Sequence, residues 1–387
     1  MLEELEKSDF HNVKHLFIER TFINIFRSHL ERTPIPKKVF VDNIDNPHTA
    51  IIIAIPQLFF GGRADNKEFN RELKKILYET LLLEFKEKDF MEIDCYFSNR
   101  AWEEEVNYIL KDPYLYNRYY YEINELKLKN WRELVPEDYN IEPIDLSLLS
   151  KDYLKNYGWL IEEIKENWVP FEEGLKEKRG FYLVKENSEI VSWCTTEYLT
   201  EDNCIEVGIA TREEYQGRGF ASIVGSATAE YCLSKYKSLG WHCLATNIGS
   251  YKTAEKIGYE RVREYKKAAA YINQVDNWVV NAFLKVQVDE YKEAIKWYEK
   301  VVDAANKETL EFIESYYVQG DFLAKIYFRM SVFYCILGDM NATTQYLEKV
   351  VESGLQDEAQ IFRDDLLKSL HGTDEWNKII QLLRHRI

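Results

Sequence analysis

Ile205-Glu206-Val207-Gly208-Ile209-Ala210-Thr211-Arg212-Glu213-Glu214-Tyr215-Gln216-Gly217-Arg218-Gly219-Phe220-Ala221 reads as a strand, a short loop and the opening of a helix. Alternation puts Ile205, Val207 and Ile209 on one strand face, to be buried, and Glu206 with Gly208 on the other. The glycines of the loop let the backbone turn tightly and leave its N–H groups pointing outward. At a helix N-terminus such donors, together with the helix dipole, form an anion site suited to a pyrophosphate. The small Ala221 keeps the first turn uncluttered. Ile223, Val224, Ala227 and Tyr231 recur on one face, which packs the helix on a sheet.

Around this stretch, strands are expected at 139–142, 180–185, 190–198, 205–210, 243–246 and 259–265. Helices are expected at 146–157, 159–168, 219–239 and 250–256, giving an α/β layer whose first half is largely antiparallel. Upstream, Phe10 to Leu30 carries apolar residues at helical spacing and is broken by Thr33-Pro34-Ile35-Pro36. Strands at 38–41 and 50–55 flank a turn, and a helix over 67–87, a strand at 92–97, a helix over 100–110 and an aromatic strand at 116–123 follow. Downstream of Asn273 no strand pattern remains. Its helical pieces are punctuated by Gly320-Asp321, Gly338-Asp339 and Gly354. The segments 289–302 and 338–351 resemble each other and the second helix of a tetratricopeptide repeat. Thr343 stands where that repeat wants the small residue that Ala294 supplies, and the copies are spaced more widely than the family's roughly 34 residues. The expected fold class is α+β, a mixed and mostly antiparallel sheet flanked by helices, with an N-terminal α/β region at 1–137, a central domain at 138–272 and an all-α helical-hairpin region at 273–387.

A chain of 387 residues exceeds one ordinary core, and its 27 Tyr, 20 Phe and 9 Trp supply apolar area for several. The formal charge of −16 repels phosphate backbones, which argues against nucleic acid as a partner. No apolar run is long enough to span a bilayer, and Met1 to Asp9 lacks the order of a secretion signal. The six cysteines are scattered without CxxC or metal-like spacing, so they read as reduced thiols of a cytoplasmic protein with no metal. His11 and His15 stand at i, i+4 but have no acidic partner in a recognisable spacing, and Gly61-Gly62-Arg63 lacks a helix-opening sequence and reads as a turn.

Downstream of the opening stretch comes a short strand and then Asn247-Ile248-Gly249-Ser250-Tyr251-Lys252-Thr253-Ala254-Glu255-Lys256-Ile257-Gly258-Tyr259. The two segments at this separation resemble the acetyl-CoA-binding loop and the Asn-helix-Gly-aromatic element of the GNAT superfamily of N-acetyltransferases. The resemblance covers about a third of the chain, and the first two regions together resemble the acetyltransferases related to zwittermicin A resistance proteins. It implies that Ile209, Ala210 and Thr211 lend backbone groups to the pantetheine arm of acetyl-CoA. Gln216, Gly217, Arg218, Gly219 and Ala221 would hold the pyrophosphate, and Asn247 and Ser250 would bond the pantetheine. Arg212 and Lys252 are equally readable as phosphate contacts or solvated surface.

N-acetylation needs a neutral amine, a stabilised oxyanion and a route for the leaving thiolate. The family often places a general base where Glu206 stands; the other reading is an ordinary polar residue on a sheet face. Where the family has a tyrosine that protonates the thiolate, this chain has Ala254. Tyr251 lies one turn earlier and is either the replacement donor or a packing aromatic. The Tyr114 to Tyr121 cluster and Trp159, Trp168 and Trp193 read as packing aromatics or as walls of a substrate cleft. Three functions stay open. The first is acetyl transfer to a primary amine of a small molecule in a ternary complex, the N-terminal region supplying part of the pocket, as if it were a degenerate second half of the same kind. The second is transfer to a protein or peptide recruited by the C-terminal helices, which are also a surface for self-association. The third is a non-catalytic acetyl-CoA sensor or scaffold.

Overall fold

The structure, a computed structural model, describes residues 2–17, 37–87, 90–168, 170–177, 179–186, 188–197, 199–200, 203–355, 357 and 359–384. The chain divides into two compact units. One comprises Met1–Leu81, Ile93–Ile109 and Leu115–Ala268, and the other Leu82–Glu92, Leu110–Tyr114 and Ala269–Ile387.

Among the described residues, twelve strands form one mixed sheet. They are β1 (Glu3–Glu4), β2 (Lys38–Val41), β3 (Thr49–Ala54), β4 (Gln57–Gly62), β5 (Glu92–Phe97), β6 (Tyr114–Ile123), β7 (Tyr139–Pro143), β8 (Gly180–Lys185), β9 (Glu189–Glu197), β10 (Cys204–Thr211), β11 (Ser238–Leu244) and β12 (Glu260–Tyr271). Their order across the sheet is β1-β2-β3-β4-β5-β12-β6-β11-β10-β9-β8-β7. Two runs share one connectivity. Strands β2, β3 and β4 are antiparallel, a helix follows, and β5 pairs parallel to β4. Strands β8, β9 and β10 are antiparallel, a helix follows, and β11 pairs parallel to β10. Each run then continues through a helix, Trp102–Ile109 or Ile248–Ile257, into a last strand. That strand lies in the other run's half of the sheet: β6 sits beside β11, and β12 beside β5.

The helix Phe220–Leu233 explains how the second run is held. Ile223, Val224 and Ala227 are buried as their spacing predicts, Tyr231 is only half-buried, and most of the other residues of this helix are buried too. A methyl group built on Gly225 would meet Ile257 Cδ1 at 2.6 Å, so the helix lies close against Ile248–Ile257 as well as on the sheet. The helix ends six residues earlier than the sequence predicts. The strand that follows begins at Ser238 rather than Cys243, because Leu239, Trp241 and Cys243 alternate inward into the core. Strand β12 likewise runs six residues past the expected end, its Ala268, Ala269 and Ala270 all buried. The expected helix over 146–157 is a 3-10 turn, Leu146–Ser150, with Asn156 in the left-handed region before the helix Tyr157–Asn167. The helix expected over 67–87 is interrupted by a π-helical turn at Leu77–Leu81. The one expected over Phe10 to Leu30 is 3-10 helix from Lys7 to Phe17, and the rest of it, with Thr33-Pro34-Ile35-Pro36, lies outside the described residues.

In the second unit, every described element from Gln274 onward is a helix. Gln274–Val286 packs on Tyr291–Asn306, and Phe322–Ile336 on Met340–Ser353, each pair joined by a short loop. The two mutually similar segments supply the second helix of each pair. Ala294 and Thr343 occupy equivalent buried positions, and Thr343 satisfies its hydroxyl by donating to the Asp339 carbonyl at 2.7 Å. No helix among the described residues is long and apolar enough to cross a membrane.

Candidate active site

The parallel pairing of β10 with β11 covers only Cys204–Val207 against Ser238–Trp241, although β10 runs on to Thr211 and β11 to Leu244. The strands part there. Along Gly208–Thr211, β9 satisfies one edge of β10, and alternate backbone N–H and C=O groups on the other edge face the gap. Two cavities meet at this split and share Ile209, Trp241, Asn247 and Ser250 as walls.

The first cavity, about 370 Å³, is lined by Ile209–Thr211, the loop through Gln216, Gly217 and Gly219, the first turn of the following helix, and Asn247, Ser250 and Thr253. Gly217 and Gly219 adopt φ of +75° and +84°, the left-handed region that favours glycine. Gly219 caps the helix without any side-chain hydrogen bond, so the first N–H groups of Phe220–Leu233 are left for a ligand. Gln216 Nε2 donates to the Thr211 carbonyl at 3.2 Å and ties the loop to the strand end. Asn247 caps the next helix by accepting from the Ser250 N–H at 3.0 Å, and the Ser250 hydroxyl accepts from Trp241 Nε1 at 3.1 Å. An uncapped helix start beside an unpaired strand edge suits a phosphate-bearing, amide-containing arm.

The corresponding junction of the first run is closed. There the Phe17 ring lies where a side chain on Gly61 would go, Gly62 faces the His48 carbonyl, and the Asn66 side chain caps the helix. Gly61 and Gly62 are the last two residues of β4, paired with Ala50 and Thr49, so Gly61-Gly62-Arg63 ends a strand rather than forming the turn its sequence suggests.

The second cavity, about 340 Å³, opens on the other sheet face and is lined by Tyr96, Arg118, Glu197, Glu206, His242 and their neighbours. Register explains the gathering. Glu206 pairs with Glu197 on β9 and with Gly240 on β11, and His242 pairs with Tyr120 and Leu244 with Arg118 on β6, so all share one face. Gly208 is small because Glu197 reaches over it; a methyl group there would sit 2.0 Å from Glu197 Oε1. Glu206 is 4% exposed, and its Oε1 lies 3.2 Å from His242 Nε2, while the other ring nitrogen, Nδ1, lies 2.8 Å from the Tyr265 hydroxyl. With Nε2–H donating to the carboxylate and Nδ1 accepting from the phenol, the chain Tyr265–His242–Glu206 closes with a neutral imidazole. The Tyr120 ring stacks on His242 with centroids 4.4 Å apart. Burial pushes the phenols of Tyr96 and Tyr265 up, so they remain hydrogen-bond donors. Burial opposes the charge on Arg118, but the nearby Asp94 carboxylate favours it, and a guanidinium stays protonated in proteins.

All the residues that the resemblance assigns to acetyl-CoA line the first cavity except Arg218, whose Nη2 donates to the Glu214 carbonyl while the group lies over the Tyr215 ring. Arg212 stacks on Trp159 at 3.5 Å and Lys252 is exposed; neither lines either of these two cavities. Glu206 lines the second cavity at the split. Tyr251 lines neither: its ring packs edge-on against Tyr119, 5.8 Å between centroids. Ala254 is fully buried. Trp168 and Trp193 belong to the core beneath β8 and β9. Of the tyrosine cluster, Tyr121 packs in the core and Tyr120 covers His242. His11 is bonded to the Ser8 carbonyl, and among the described residues no group of three or more His, Cys, Asp or Glu is arranged for a metal. Sequence reasoning missed Arg118, Glu197 and His242. Only His242 left a local signal, its alternation with Gly240 and Leu244.

Comparison with known proteins agrees with this geometry. The GNAT acetyltransferase family matches residues 14–268. The chain is 25% identical over 267 residues, 68% of its length and 97% of the relative's, to an uncharacterized N-acetyltransferase, YdfB, of Bacillus subtilis (strain 168). Its fold is similar to that of a GCN5-related N-acetyltransferase-like protein from Streptococcus suis 89/1591, with a TM-score of 0.50 and 22% identity, covering 68% of this chain and 98% of that one. A family match across both runs of the sheet, with a glycine-turned helix start beside a split pair of parallel strands, assigns the chain: it belongs to the GNAT acetyltransferase family.

Proposed function

We propose that this enzyme transfers the acetyl group of acetyl-CoA to a primary amine of a small molecule, both substrates being bound at once. The observation that carries the reading is the pair of cavities joined at the β10–β11 split, one walled by a helix start and an open strand edge, the other by the carboxylates of Glu206 and Glu197. The bound thioester supplies the acetyl carbon and a leaving thiolate. The first N–H groups of Phe220–Leu233 and the loop Gln216–Gly219 hold its pyrophosphate, the open edge of Ile209–Thr211 aligns the pantetheine arm as an added strand, and Asn247 and Ser250 bond its amides. Glu206 takes the proton that an ammonium must lose before its nitrogen can attack. The His242–Tyr265 chain fixes that carboxylate and contributes no charge of its own while the imidazole is neutral. Tyr251 and Ala254 leave the thiolate without a dedicated acid on this helix, so the proton released by the amine returns through solvent. The likeness to zwittermicin A resistance acetyltransferases belongs to this reading and points to a hydrophilic, amine-bearing acceptor.

Initial rates of thiol release, with acetyl-CoA and acceptor both varied, test it. A ternary complex gives intersecting double-reciprocal lines, and Glu206→Gln lowers kcat about 10²- to 10⁴-fold with acetyl-CoA affinity retained. Parallel lines, or a Glu206→Gln enzyme with wild-type kcat, would overturn the mechanism.

A further inference from the structure

The second cavity is not uniformly acidic. Glu206 and Glu197 occupy one end, and Arg118 occupies the other. Arg118 pairs with Leu244 and Glu206 with Gly240, so the two lie four residues apart along β11 and on opposite sides of it. That separation is about 13 Å along the strands and about 10 Å across them, a span that two long side chains close from both ends. Among the described residues no carboxylate forms an ion pair with the guanidinium. Its Nε is buried without a hydrogen-bond partner. The acid that acts on it, Asp94, is already paired with the buried Lys267. Its other neighbours, Tyr265, Tyr96 and Tyr116, are phenols kept protonated. A planar fork of donors set in a cavity wall is matched to a carboxylate, which it binds through two parallel bonds. A buried, unpaired donor also penalises any acceptor that leaves it unpaired.

Resting on the acetyl-transfer reading above, we infer that the acceptor is an amine that also carries a carboxylate, an amino acid or a close relative, held with its carboxylate on Arg118 and its ammonium between Glu206 and Glu197. A cavity of about 340 Å³ accommodates a molecule of that size. Charge of both signs at opposite ends also orients the acceptor, so that one nitrogen of a diamine reaches Glu206 at the split.

Matched acceptors separate this inference from the reading it rests on. Ornithine against putrescine, lysine against cadaverine, and γ-aminobutyrate against propylamine differ by one carboxylate each. The wild-type enzyme is expected to prefer one or more of the acids over its decarboxylated partner by about 10- to 100-fold in kcat/KM, mainly through KM. Arg118→Gln should bring that ratio close to one, and Arg118→Lys, which keeps the charge and loses the fork, should give an intermediate ratio. Calorimetric titration of CoA into each variant reports folding and the first cavity independently. Retained CoA binding with equal use of acids and amines, or a preference that survives in Arg118→Gln, overturns the amino-acid assignment alone. Loss of CoA binding in the wild-type protein overturns the acetyl-transfer reading itself.

Discussion

Replacing Gly219 by alanine tests the glycine loop through a single methyl group. Gly219 has φ of +84°, and the nearest atom to an added Cβ is Lys256 Nζ at 4.0 Å, so the substitution meets no steric obstacle. Its cost is conformational, about 1–2 kcal/mol for an L-residue held in the left-handed region. If the turn holds, stability falls by that amount, about 2–8 °C in Tm for a unit of this size. If the turn relaxes instead, the first N–H groups of Phe220–Leu233 move off the pyrophosphate. Losing one charge-assisted hydrogen bond, about 1.5–3 kcal/mol, then raises the Kd for CoA about 10-fold or more. Gly338 is the control: φ is +80°, an added Cβ meets nothing within 4 Å, and it sits between two helices of the second unit. Thermal unfolding and calorimetric CoA titration of both variants separate strain from binding. Gly338→Ala is expected to lose stability and keep its affinity for CoA. Gly219→Ala is expected to lose affinity as well, or to lose stability while the turn holds. A Gly219→Ala protein with wild-type Tm and wild-type CoA affinity would refute the claim that this turn is conformationally demanding and shaped for the ligand.

Two further outcomes follow from burial. Ala254→Tyr, which restores the family's tyrosine, should not create a proton donor. The site is fully enclosed in the core, so overpacking costs about 1–3 kcal/mol, read as a lower denaturant midpoint; higher activity at unchanged stability would contradict this. Thiol titration with a disulfide reagent at about pH 8 should modify Cys204 first, the one cysteine that is not buried. Burial pushes the thiols of Cys95, Cys194 and Cys232 up, Cys232 to about 12, so at that pH they stay protonated and react only as the chain unfolds. Rapid native-state modification of more than one thiol would show that the cores open.

How far the sequence reveals this depends on the range of the forces involved. The loop from Gln216 to Ala221 is legible because its chemistry is local: positive φ selects glycine, and the helix starts where the glycines stop. The start of β11 is not, because Ser234 to Lys237 continues a helical pattern in polarity and only the inward alternation of Leu239, Trp241 and Cys243 marks the strand. The second cavity is less legible still. Tyr96, Arg118, Glu197, Glu206 and His242 come from five strands, and only sheet register puts them on one face. The exchange of β6 and β12 between the two runs likewise depends on long-range pairing that no local spacing encodes. Thr343 is a smaller case. It departs from the repeat's small residue, yet it fits because its hydroxyl finds the Asp339 carbonyl one turn back.

Mass-spectrometric detection of the acetylated amine, after incubation with acetyl-CoA and the paired acids and amines, tests acetyl transfer to a small acceptor most directly. The expected result is one acetylated product per CoA released, formed by the wild-type protein and suppressed at least about 100-fold in Glu206→Gln. Acetyl-CoA bound in the first cavity with no acetylated product from any member of the panel, or product formed equally well by Glu206→Gln, would contradict the account.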